Sequence, residues 1–266
     1  MAEETEPTVD LDADRAIMEF VRESRHARDL QHVGPFALLI AQGTKLRYLN
    51  YAIPDDGADP SPAEIDALIE AFRKAHRMPR LEFLPSLAPA LEAELVARGF
   101  TLEQRLPLMT CTSTSLRDLA APVGIHLAEP HDDETLRTMA TLQHTAFEDP
   151  DPVTDRTVAG LRSGIDRGAR AMVANDAATG TLVGAAQAGV PAGGATELVG
   201  VAVAPSHRRR GIAAAMVSAL TGQAFASGLT AVFLEAAPGA DGAYRNAGFR
   251  RTSTSVHISL PGDSDA

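Results

Sequence analysis

Alternating strand-like and helix-like segments predict an α/β or α+β fold with a mixed sheet, arranged in two halves. Three observations carry this expectation. The strand–helix rhythm runs through both halves of the chain. With 45% apolar and 22% charged residues, the 266-residue chain can bury one large core or two ordinary ones. A helix ending in Gly-Phe before a strand occurs at Leu95-Val96-Ala97-Arg98-Gly99-Phe100 and again at Tyr244-Arg245-Asn246-Ala247-Gly248-Phe249, which suggests two related domains in tandem.

In the first half, residues 1–10 are acidic and poor in apolar side chains, and a disordered N-terminus is expected there. From Leu11, the spacing of Ala16, Ile17, Phe20 and Val21 suits one face of a helix. Phe36 to Ile40 and Leu46 to Tyr51 flank Gln42-Gly43 and predict a hairpin. Ser61 caps a helix with Pro62 and Glu64 in its first turn and Ile65, Leu68, Ile69 and Phe72 on its buried stripe. A strand at Leu81 to Leu84, a helix from Ala88 to Arg98 and a strand from Leu102 to Cys111 follow. The polar, proline-ended stretch from Thr112 to Pro122 suits a connector, so domains are expected at 11–120 and 121–262.

The second half predicts a strand at Gly124 to Leu127, helices at Asp133 to Phe147 and Asp155 to Ile165, and strands at Ala171 to Ala174, Leu182 to Gly189 and Glu197 to Val203. A helix from Arg210 to Ala226, a strand at Ala231 to Ala236, a short helix near Ala240 to Asn246 and a final hairpin ending at Leu260 complete it.

Composition narrows the function classes. No apolar run approaches the roughly 20 residues of a membrane span, and the acidic N-terminus is unlike a signal peptide, so a cytoplasmic protein with no membrane partner is expected. The single Cys111 excludes an intramolecular disulfide and a cysteine-based metal cluster, and no metal is expected. A net charge of −11 disfavours nucleic acid and favours a cationic amine as partner. A homodimer is left open.

The one tight basic cluster, His207-Arg208-Arg209-Arg210, joins an apolar strand to an Ala-rich helix through Gly211. Free N–H groups at a helix start, the helix dipole and nearby arginines make an anion site. Small residues at Gly211, Ala213 and Ala214 let phosphates approach the backbone. Neither G-x-x-x-x-G-K-[ST] nor a strand followed by G-x-G-x-x-G occurs.

The arrangement Val203-x-Pro205-x-x-Arg208-x-x-Gly211-x-Ala213 resembles the acyl-CoA signature of the GNAT acetyltransferase superfamily, and Ala240-x-x-x-Tyr244-x-x-x-Gly248-Phe249 resembles that family's closing motif. The resemblance covers about residues 123 to 260. It implies a mixed sheet splayed between its fourth and fifth strands, with acetyl-CoA as co-substrate bound by Val201, Ala202, Val203, Arg208, Arg209, Arg210, Gly211, Ile212, Ala213 and Ala214. One departure is Ala237, where the family often has asparagine. The first half resembles a smaller, degenerate GNAT-like copy in which Pro54 to Asp59 brings three carboxylates to the place of the arginines.

The implied reaction is direct transfer of acetyl to a primary amine of a small molecule or protein. The resemblance casts Tyr244 as general acid and Glu197 as general base; packing under the last hairpin and a solvated strand end are the competing roles. By strand alternation Glu197 shares a face with Val199, Val201 and Val203. His131, His144 and His207 are further titratable groups, and Glu148-Asp149-Asp151 is a candidate contact for a cationic acceptor. A covalent route through Cys111 is not expected. The competing classes are a non-catalytic acyl-CoA-binding module and a GNAT-fold transferase using another acyl donor.

Overall fold

The computed structural model describes residues 11–25, 30–41, 49–149 and 151–262. The chain forms two compact units, Met1–Leu108 with Arg251–Ala266, and Met109–Arg250. The expected division near residue 120 is therefore displaced to Leu108/Met109, and the C-terminal strand belongs to the first unit. The expected disordered N-terminus and the Gln42-Gly43 turn lie outside the described residues.

The first unit contains α1 (Leu11–Arg25), β1 (Leu30–Val33), β2 (Phe36–Leu39), β3 (Tyr51–Pro54), α2 (Pro62–Lys74), β4 (Arg80–Phe83), α3 (Leu91–Ala97) and most of β5 (Thr101–Cys111). On α1, Ile17 and Phe20 are buried as expected, whereas Ala16 is exposed and Asp14 is buried. Asp14 Oδ2 accepts from the hydroxyls of Ser86 and Ser253, so a carboxylate occupies the inner face at no cost in unmet hydrogen bonds to that oxygen. The capping box at Ser61 forms: Glu64 N–H donates to Ser61 Oγ, and Ser61 N–H donates to the Glu64 carboxylate. The stripe Ile65, Leu68, Ile69 and Phe72 then packs with Phe36, Leu81, Phe83 and Val256 in one core.

Strand β1 pairs with β2, and β2 with β3, both antiparallel; α2 crosses over to make β3 and β4 parallel. The last hairpin of the sequence reading is instead one strand, β11 (Arg250–Ser259), which runs antiparallel to β4 and lies between β4 and β5. Sequence alternation could not distinguish a long strand from a hairpin, because Ser253, Thr254 and Ser255 look like a turn yet Ser253 and Ser255 are buried in the sheet.

The second unit has β6 (Ile125–Ala128), α4 (Asp133–Ala146), α5 (Asp155–Asp166), β7 (Arg170–Asp176), β8 (Leu182–Ala188), β9 (Ala195–Val203), α6 (Ile212–Ala226), β10 (Ala231–Glu235) and α7 (Asp241–Ala247). Strands β6 to β9 form an antiparallel meander, and α6 crosses over so that β10 runs parallel to β9. One face packs Met172, Val183 and Leu198 against Met216 and Leu220 of α6; the other packs Val173 and Ala185 against Leu136, Met139 and Val158 of α4 and α5. Gly184 allows the first turn of α6 to sit directly on β8, since a Cβ there would lie 3.0 Å from Met216 Cε and 3.2 Å from Ile212 Cγ2.

Candidate active site

The strand β9 carries a bulge that decides where its main chain points. Gln187 faces Val199 and Ala185 faces Ala202, so β9 takes three steps where β8 takes two, with Gly200 at φ +64°. An extra residue reverses side-chain parity. Glu197 therefore shares its face with Val199 and Ala202, not with Val201 and Val203, which corrects the simple alternation of the sequence reading. Beyond the bulge Ala204 N–H donates to Val183 O at 2.8 Å. Antiparallel alternation then turns the N–H and C=O of Val203 away from β8. Arg208 Nε donates to that carbonyl at 3.1 Å. Pairing between β9 and β10 extends only to Glu197 and Phe233, so past that point the two strands diverge and the outward amides of β9 enter the gap.

A 3-10 turn, Pro205–His207, leads from β9 to the basic cluster. His207 Nε2 donates to Asp176 Oδ2 at 3.1 Å, and its Nδ1 lies 2.9 Å from the Ser206 hydroxyl. The turn is thereby tied to the end of β7. The Asp176 carboxyl is held below its ordinary range, first by this bond and then by the backbone amides of Ala178 and Thr179. Arg209 (φ +60°) and Gly211 (φ +84°) are both left-handed, and two such residues so close together fold the chain back onto the start of α6. Gly211 is the N-cap, and no side chain caps the helix. The leading N–H groups of α6 therefore face outward, which is the arrangement that holds an anion.

These groups meet at a cavity of about 500 Å³ lined by Val201, Ala202 and Val203, by His207, Arg208, Arg209, Gly211, Ile212, Ala213 and Ala214, and by Ala240, Ala243 and Tyr244. Nearly all of the sequence-derived binding residues are brought together. Arg210 and Glu197 are not among the lining residues; Arg210 is exposed, and Glu197 is half-buried at the paired end of β9. Ala146, Phe147, Gly239 and Asn246 also line the cavity and were not singled out by the sequence. Phe147 is 56% exposed where α4 ends, a placement that an apolar residue beside an acidic run could have signalled.

Tyr244 is 8% exposed and lies in the α6-side core, its ring edge-on to Phe249 at 6.3 Å. Burial pushes its hydroxyl above the ordinary tyrosine value, so it holds its proton at neutral pH. Gly248 (φ +103°) ends α7, and a Cβ there would lie 2.0 Å from Ser115 O. The stretch after Cys111 is thus more than a connector: Arg117 N–H donates to Ala247 O at 3.0 Å, and Ser218 Oγ donates to Arg117 O at 2.8 Å, strapping α7 to α6.

Other candidates lie elsewhere. Cys111 is buried and does not line the cavity, and burial raises its thiol pKa, which disfavours the thiolate. The acidic loop after α4 is folded on itself: Asp149 Oδ1 accepts from Asp151 N–H at 3.0 Å, and His144 Nδ1 lies 2.9 Å from Asp151 O. The His131 carbonyl accepts from Arg162. Among the described residues no cluster of His, Cys, Asp or Glu could hold a metal, and no helix is long and apolar enough to cross a membrane.

Residues 136–249 match the model of the Acetyltransferase (GNAT) family. This part of the chain is similar to GNAT domains. Among solved structures, a GCN5-related N-acetyltransferase from Kribbella flavida superposes with TM-score 0.76 at 25% identity, covering 97% of this chain and 98% of that one. A GCN5-related N-acetyltransferase from Sphaerobacter thermophilus superposes with TM-score 0.68 at 16% identity, covering 94% and 92%. A tandem GNAT protein from the clavulanic acid biosynthesis pathway does so with TM-score 0.59 at 16% identity, covering 86% and 79%. No curated protein matches the sequence.

The second unit differs from the first at a strand–loop–helix that each contains. There β3 leads to α2, whose N-terminus is closed by the Glu64 carboxylate of its own capping box, and Asp56 in the loop pairs with Arg22 at 3.0 Å. A helix start already occupied by a carboxylate has neither the amides nor the potential to take a phosphate. In the second unit Gly211 leaves the start of α6 open.

Proposed function

We propose that the chain is an acetyl-CoA-dependent N-acetyltransferase that transfers the acetyl group directly to a primary amine of a small molecule or protein in a ternary complex. The observation that carries this reading is that an uncapped, arginine-flanked helix start, the outward amides of β9 and a buried, protonated Tyr244 border a single cavity.

The co-substrate supplies a thioester-activated acetyl group. The N–H groups at the start of α6, with Arg208 and Arg209, hold its diphosphate; each charge-assisted hydrogen bond there contributes about 1.5–3 kcal/mol. Arg208 must release the Val203 carbonyl to do so, or reach the phosphate through its terminal nitrogens while Nε stays bound. The Val203 N–H, turned into the gap, is the donor for the developing negative charge on the acyl oxygen. As the amine forms its C–N bond and the C–S bond breaks, Tyr244 Oη gives its proton to the departing sulfur, and the amine proton leaves to solvent. Among the described residues no carboxylate lines the cavity, so Glu197 could take the amine proton only through intervening water.

That position of Glu197 is the one observation favouring the second reading, a non-catalytic acyl-CoA-binding module. Free thiol released from acetyl-CoA across a panel of amines decides between them. The enzyme predicts turnover that falls by about 10²–10⁴ in Tyr244→Phe with coenzyme A affinity retained. Tight coenzyme A binding with no turnover on any amine would establish the module instead.

A further inference from the structure

Gln143 lies on α4, outside every motif, and is 6% exposed. Its Nε2 donates to Gly200 O at 2.7 Å, and its Oε1 accepts from Gln187 Nε2 at 3.0 Å. The second bond fixes which way the Gln143 amide points, because it leaves the NH2 group for Gly200. Gly200 is required here twice over. Its φ of +64° is left-handed, and a Cβ would lie 2.3 Å from Gln143 Nε2 and 3.2 Å from Gln187 Nε2. The two amides thus close on the bare Cα of the bulge. The Gln143 carbonyl also accepts from Phe147 N–H at 2.9 Å, ending α4 where Ala146 and Phe147 line the cavity.

We propose that Gln143 is a positioning residue for acyl transfer: it clamps the β9 bulge so that the outward amide of Val203 stays aimed into the gap between β9 and β10. The proposal rests on the reading of that cavity as the acetyl-CoA site. A bulge is one residue away from a regular ladder, and a slip by one residue would exchange the two faces of β9 and turn the Val203 N–H back toward β8. The hydrogen bond to Gly200 O resists that slip. Gln143 does not touch the phosphate turn, so the clamp acts on chemistry rather than on coenzyme A binding.

Gln143→Met keeps the side-chain length and removes the donor. In the substrate-free protein, exchange of the β8-facing amides of Ala202 and Ala204 should quicken by about tenfold, the loss of one buried hydrogen bond, while β7 and β10 exchange as in the wild type. With acetyl-CoA and an accepted amine, kcat should fall by about tenfold or more with KM for acetyl-CoA and coenzyme A affinity within about threefold. Gln187→Met should show a smaller fall in kcat and add nothing in the Gln143→Met background. Gln143→Glu, whose acid form alone can donate to Gly200 O, should recover kcat relative to wild type as pH falls, and Gln143→Met should not. Unchanged exchange overturns the clamp, and so does a loss of kcat matched by an equal loss of coenzyme A affinity. A wild-type chain that neither binds coenzyme A nor turns over sinks the acetyl-CoA reading instead, and the exchange measurement still decides the clamp.

Discussion

Tyr244 keeps its proton because a phenolate would have to sit among Phe249 and the apolar side chains of the α6-side core. A general acid must be protonated to act, and this folded pKa is raised. Activity is therefore expected to persist through neutral pH and to be lost only as pH rises past the tyrosine titration, above about 10. In Tyr244→Phe that alkaline fall should vanish from the residual rate, as a pH–rate profile would show. Asp176 has the opposite sign. Its pKa is lowered by the bond from His207, so the tethering of the turn is present above the ordinary aspartate range and is lost as pH falls through the depressed folded value. Asp176→Asn should weaken coenzyme A binding by about two- to fivefold, the range of a half-buried pair near the surface, measurable by calorimetry. Glu197 shows why a residue's role was harder to read than its type: a glutamate at a strand start suits a base, but one extra residue at Gly200 separates its face from Val201 and Val203.

At the scale of elements, two glycines do different work. Gly211 sits at φ +84°, and a Cβ there meets only Pro122 Cγ at 3.7 Å, so the fold has room for a methyl group. Gly211→Ala should cost about 1–2 kcal/mol of stability, the price of a left-handed alanine. Coenzyme A affinity should fall further, by about tenfold to a hundredfold, as the amide cradle loses one or two charge-assisted bonds. Gly248 has no such room. Gly248→Ala should destabilise by at least about 2 kcal/mol, because the left-handed cost is joined by a clash with the Ser115 carbonyl, and denaturant unfolding should report it. Both glycines were visible as punctuation after or before a helix. The bulge at Gly200 was not, since a glycine within an apolar strand says only that some irregularity is near.

At the scale of the molecule, the first unit is completed by the end of the chain. Strand β11 fills the place between β4 and β5 and brings His257 Nδ1 to 3.1 Å from Nη2 of the buried Arg80. A fragment ending at residue 120 should therefore fail to fold cooperatively, judged by thermal unfolding, and joining residues 251–262 to it through a flexible linker should restore the transition. The chain alone was enough to place the Ser61 cap, the buried stripe of α2, most of the helices and strands and the basic turn before α6, because these depend on residues within a few positions of one another. It made the roles proposed for Arg208 to Ala214 and Tyr244 legible for the same reason: each belongs to a short motif with its own local geometry. Only the tertiary structure decided that β11 completes the first unit, that Glu197 stands apart from the cavity, and that Gln143 meets Gly200 across 57 positions of sequence. Those outcomes depend on strand register and on hydrogen bonds between distant segments, and no local pattern of residues encodes which distant partner a strand edge or an amide will meet.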